Sequence, residues 1–139
     1  MTTQEARTEL KQISVLYNRI SERKQRLAEL RASMGSIRLS SYDNQPTAGA
    51  TQRENYRLEN AIDRCTKLET QIADDIATMA ETQQALIEKI EKLPEPYATV
   101  LAKKYIHFQS FEKIAYDISY SYRQVKRIHH SGVEKFAVL

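Results

Sequence analysis

Apolar residues recur at Leu10, Ile13, Leu16 with Tyr17, Ile20, Leu27, Leu30 and Met34, mostly three or four positions apart. That period marks one apolar face and predicts an amphipathic helix over about residues 4 to 34. Lys24 interrupts the stripe, and its long stem lets the ammonium reach water. The period stops at GSIRLSSYDNQPTAGAT, residues 35–51, which holds two of the three glycines and one of the three prolines. A polar loop is expected there. The stripe resumes at Leu58, Ala61, Cys65, Leu68, Ile72, Ile76, Met79, Gln83, Leu86, Ile90 and Leu93, a heptad-like pattern with one stutter between Ile72 and Ile76. This predicts a second helix over 52–93, and two helices around a polar connection predict an antiparallel hairpin over 1–93.

Charge changes that picture only by strengthening it. Residues 1–34 carry seven Lys/Arg against four Asp/Glu, and residues 51–93 carry six against nine, so the two arms attract. A register centred on the loop places Lys11 near Asp74 and Asp75, a pairing of small energetic weight if it is exposed.

Leu93-Pro94-Glu95-Pro96 ends the second helix, because a residue before proline leaves the helical region. Composition then shifts: five of eight tyrosines and all three phenylalanines lie in residues 94–139. The pattern there predicts three short helices, about 95 to 106, 110 to 118 and 121 to 136, with Ser110 and Ser121 as N-caps. Tyr97, Val100, Leu101, Tyr105, Phe111, Ile114, Ala115, Ile118, Val125, Ile128 and Phe136 supply the inward faces. Ala115, Ser119 and Val125 have the spacing of a helix-turn-helix, in which a small residue lets two helices cross closely and an aliphatic one locks the last helix. The expected fold is therefore all-α, a long antiparallel hairpin followed by a three-helix helix-turn-helix unit.

With Val125 and Ile128 inward, the last helix turns Tyr122, Arg123, Lys126, Arg127 and His130 outward. Residues 121–136 carry four basic residues and one acidic, so this helix holds the basic excess of its segment. Arginine and lysine can read guanine edges in the major groove, while Tyr122 and His130 can touch phosphate or a thymine methyl. Ser110, Lys113, Ser121, Lys103 and Lys104 flank this face as candidate phosphate contacts.

Residues 93–136 resemble region 4 of sigma-70-type factors in their L…VL..Y…FEKIA….S..QV.RI pattern. Across the whole chain, the helical arm, polar loop and C-terminal unit resemble the ArpU/RinA-type phage transcriptional regulators. The resemblance implies a DNA-binding regulator, an activator of late phage genes, with base-reading positions that fall on Tyr122, Arg123, Lys126 and Arg127. It also implies RNA polymerase or a second copy as partner of the hairpin. Tyr122 departs from the cation usual at its position, and Ser119 from the usual turn glycine. A DNA-recognition subunit of a phage packaging terminase fits the same outline, as does a structural coiled-coil adaptor. Assembly into a ring marks the first, and lack of DNA affinity the second.

Other chemistry is not encoded in a recognisable form. The chain has no phosphate-cradling glycine loop, nucleophile elbow, Cys/His cluster or zincin helix, so no enzyme, cofactor or metal is expected. His129, His130 and Glu134 lack a third ligand and are expected to be exposed helix residues. Asp74 and Asp75 point about 100° apart on a helix and cannot serve one site. The single Cys65 fits a reducing compartment, and no apolar run reaches the ~18 residues of a membrane span, so a cytoplasmic protein is expected. The net charge of +3 is compatible with a polyanionic partner without requiring one.

Overall fold

The computed structural model describes residues 1–43 and 48–139, and the side chains of residues 1–35 and 52–139. The described residues form an all-α protein: α1 (Thr3–Asp43), α2 (Ala48–Glu91), α3 (Tyr97–Leu101) continuing as a π-helical turn (Ala102–Ile106), α4 (Phe111–Ile118) and α5 (Tyr122–Ala137). No described helix is long and apolar enough to cross a membrane. Thr2 opens α1 with a reciprocal cap, its Oγ1 accepting from the Glu5 amide at 3.2 Å while its own amide donates to the Glu5 carboxylate at 2.8 Å.

Both long helices run further than the hydrophobic pattern predicts. Where a loop is expected over 35–51, α1 continues through Asp43 and α2 begins at Ala48; the expected loop residues 44–47 lie outside the described residues. The polar and glycine residues of that stretch each cost a helix only about 1 kcal/mol or less. Once a helix is nucleated, extension continues through such weak formers.

The chain divides into two compact units. One is residues 18–77; the other combines residues 1–17 with residues 78–139. In the first unit, Ile20 and Leu27 of α1 and Ala61, Cys65 and Ile72 of α2 are buried, and Cys65 Sγ lies 3.6 Å from Met34 Sδ. The seam then passes through Asp75, which is 8% exposed, and not through Ile76, which is 44% exposed. Steps from Ile72 to Asp75 to Met79 keep the alternation of three and four, so the expected stutter at Ile76 is absent. Arg23 closes an ion pair onto Asp75, and Arg31 bonds Glu69 at 2.7 Å. Asp75 thus meets Arg23 and not Lys11. A register that set Asp75 against an apolar residue would leave its carboxylate unpaired in the seam, so this pair favours the observed alignment.

In the second unit, the first turns of α1 share one core with the end of α2 and with the C-terminal helices. Ala6, Leu10 and Ile13 pack with Leu86, Ile90, Leu93, Leu101, Tyr105, Val133 and Phe136. A lysine of α2, Lys89, forms an ion pair with Glu9. The core therefore continues across residue 94, where the sequence pattern places a boundary. Pro96 precedes α3, joined to Glu95 by a cis peptide bond. Gly132 brings α5 close to α3: a Cβ there would stand 3.4 Å from Leu101 Cγ and 3.5 Å from Tyr97 Cβ.

A second cluster sits between α3, α4 and α5, where Val100, Ile114, Ala115 and Val125 are buried and Phe111, Ile118 and Ile128 pack against them. Ser110 caps α4, accepting from the Lys113 amide at 3.2 Å. Ser121 caps α5 in a full capping box with Gln124. Between the two helices Ser119 adopts φ 60° and ψ 36°, and the Tyr120 amide reaches back to the Ala115 carbonyl at 3.1 Å. The turn thus requires the left-handed region, which disfavours any residue with a Cβ. Ser119→Gly is expected to raise unfolding stability by about 1 kcal/mol without changing what α5 contacts. Equilibrium urea unfolding checks this, and a loss of stability would mean that the serine contributes an interaction of its own.

Candidate nucleic-acid interface

The buried side chains of α5, Val125 at its start and Val133 and Phe136 further along, orient the helix from below. What remains outward is the predicted set: Tyr122, Arg123, Lys126, Arg127 and His130 are all exposed. Arg123 and Arg127 stand one turn apart, about 6 Å along the axis. Neither forms an ion pair among the described residues. Unengaged guanidiniums of this kind present a planar donor fork to carboxylate, phosphate or guanine edges. No acidic residue lies in the first turn of α5, so the positive end of the helix dipole adds to the same field.

The other three members of the set are partly occupied. Tyr122 packs edge-on against Phe111 at 6.3 Å, and Lys126 Nζ lies 4.7 Å above the Tyr122 ring. These contacts hold the first turn in place more than they consume hydrogen-bonding capacity. His130 Nε2 lies 3.2 Å from Glu134, a bond that becomes an ion pair when the ring is protonated.

The flanking residues divide. Lys103 and Lys113 converge on one carboxylate, Asp117, at 3.9 and 3.2 Å. The hydroxyls of Ser110 and Ser121 accept the amide hydrogens of their own caps. Lys104 differs: its ammonium lies 4.4 Å above the Phe111 ring and borders an open cleft. The sequence pattern offers all five the same role; Asp117 separates the lysines, and the cap bonds occupy the serines. Tyr116, on α4 beside this face, is 82% exposed and carried no periodic signal that singled it out.

The cleft, about 490 Å³, is bordered by Arg7 and Lys11 of α1, by Lys104, and by Lys126, His129 and His130 of α5. Tyr105 and Phe111 supply its aromatic surface, and no carboxylate lines it. Arg7 and Lys11 lie one turn apart on α1, where the charge pattern of the sequence pairs Lys11 with Asp74 and Asp75 and carries no signal for Arg7. Their neighbours Ala6 and Leu10 are fully buried in the same unit, which fixes the helix beside α5.

His129 corrects an expectation. It is half-buried, not exposed, and its Nε2 lies 2.5 Å from the Tyr105 hydroxyl. Burial is the largest influence on its pKa, followed by Lys104, Arg7, His130 and Lys11; together they lower it from 6.5 to about 4. Burial raises the Tyr105 pKa, opposed by Arg7. At neutral pH the phenol therefore keeps its proton and the imidazole is uncharged, so the hydroxyl can donate to the ring nitrogen. Among the described residues, no cluster of three His, Cys, Asp or Glu side chains is placed to hold a metal ion. No protein-family model, curated protein or solved structure matches this chain, so the character of this face rests on its own residues.

Proposed function

We propose that this chain is a sequence-specific DNA-binding protein, a transcriptional regulator that inserts α5 into the major groove. One observation carries the reading: Arg123 and Arg127 stand exposed and without ion pairs among the described residues, on a helix whose opposite face is locked by Val125 at a left-handed Ser119 turn. A rigidly held helix with unengaged arginines near its N-terminus suits readout of guanine O6 and N7. Phosphate contacts beside it position the helix and supply the salt-dependent share of the affinity.

The role in late phage transcription rests on the likeness of the FEKIA and QV.RI stretches to sigma region 4 and of the whole chain to ArpU/RinA-type regulators. On this reading Lys113 and Lys103 serve mainly to anchor α4 through Asp117, leaving Lys104 as the more available phosphate contact.

Selection of duplexes from a random pool tests the proposal. The expected outcome is enrichment of one common sequence containing guanine at the positions facing Arg123 or Arg127. Recovery of unenriched sequences, or no recovery of DNA, contradicts it.

A further inference from the structure

We infer that the cleft between the first turns of α1 and α5 is a phosphate clamp, in which Arg7 and Lys11 of the hairpin helix join Lys104 to hold a DNA backbone phosphate beside the groove that α5 enters. This inference rests on the DNA-binding reading and adds to it an element that the helix-turn-helix outline does not contain.

Four features support the clamp. The border of the cleft carries the ammonium or guanidinium groups of Arg7, Lys11, Lys104 and Lys126 and no carboxylate. Glu9 is engaged with Lys89 and Asp117 with Lys103 and Lys113, while Glu134 bonds His130 at the edge of the cleft. Nε of Arg7 is buried without a hydrogen-bond partner among the described residues, so no protein acceptor engages that nitrogen of the guanidinium. Lys126 and His130 belong both to the exposed stripe of α5 and to the cleft, so the proposed base-reading face and the cleft share the Lys126 cation. A polyanion lying along that surface has charges to meet at both places. A free phosphate ester would meet only the cleft.

The chemistry recognised is a phosphate group, and its two sources are a DNA strand and a free anion. Charges within about 10 Å of one another act together at ordinary ionic strength, and a DNA strand offers successive phosphates to the cleft and to α5 where a free anion offers one group. Arg7→Gln/Lys11→Gln removes two charges while keeping the first two methylenes of each stem and a polar tip.

Affinity of the full chain is measured over a range of salt for a selected duplex and for a random duplex, with the unaltered chain, Arg7→Gln/Lys11→Gln and Arg123→Ala/Arg127→Ala. The clamp predicts that the glutamine variant loses affinity for both duplexes by the same factor and that its salt slope falls by about two. An unchanged slope, while the Arg123/Arg127 variant loses its preference for the selected duplex, overturns the clamp and leaves the function reading standing. Absence of DNA binding by the unaltered chain overturns both. If inorganic pyrophosphate binds the unaltered chain and does not compete with duplex, the source is a free anion and the clamp is overturned. Lysine acetylation of the unaltered chain gives a second readout that does not depend on a variant folding. Lys11 and Lys104 are protected by duplex if the clamp holds, and equally reactive with and without duplex if it does not.

Discussion

Leu10→Ala is expected to destabilise the protein by about 3 to 4 kcal/mol, within the range for truncating a fully buried leucine that leaves a cavity. Leu10 has no exposed surface and sits in the cluster that includes Leu101, Val133 and Phe136. Its loss therefore reaches α5 through shared packing, although more than a hundred residues of sequence separate it from that helix. Hydrogen exchange provides the decisive comparison. Amides of α5 should lose protection together with those of the first turns of α1, because one core opens as one cooperative unit. If α5 keeps its full protection while the start of α1 loses its own, residues 94–139 fold independently of the arm. Val15, 55% exposed on the same helix, supplies the control, since trimming it to alanine removes little buried surface.

What the sequence made legible follows from how local each feature is. Helix spacing, the caps at Ser110 and Ser121, and the inward positions of Ile114, Ala115 and Val125 depend on a few neighbouring residues, and the pattern predicts them. The face carrying Arg123 and Arg127 follows from the same geometry, because orienting Val125 inward leaves those positions outward. Features that depend on partners distant in the chain were not legible. Hydropathy chooses Ile76 over Asp75 for the seam, and only the presence of Arg23 across from it makes the aspartate the better occupant. Two histidines in a row look alike in sequence, yet Tyr105 and burial distinguish His129 from His130.

The cleft illustrates the same limit at the level of the candidate site. Lys103, Lys104 and Lys113 are equivalent as charges, and Asp117 decides which two are neutralised. Arg7 and Lys11 lie at the opposite end of the chain from α5, and nothing in their spacing places them beside Lys126. A signal existed in part: Ala6, Leu10 and Ile13 continue the apolar stripe to the very start of α1, more tightly buried than most of its later positions. A small residue such as Ala6 at zero exposure marks close packing that a hydropathy count undervalues. Gly132 is a second case, a position where α5 approaches Leu101 and Tyr97 closely.

The larger effect on binding belongs to Arg123→Ala/Arg127→Ala. Each arginine that reads a guanine edge contributes about 1 to 3 kcal/mol of discrimination, so the pair is expected to weaken the selected duplex by roughly a hundredfold or more. Both side chains are exposed and without ion pairs among the described residues, so the fold should be preserved and unfolding stability should stay within about 0.5 kcal/mol. The loss should be smaller for random duplexes, where only the backbone charge contribution of the two arginines disappears. Measuring affinity of this variant for a selected and a random duplex, at one salt concentration and with stability verified, tests the central claim that α5 reads DNA. Base reading by α5 predicts that the ratio of the two affinities collapses towards one; a folded variant that still prefers the selected duplex as strongly as the unaltered chain would rule that role out.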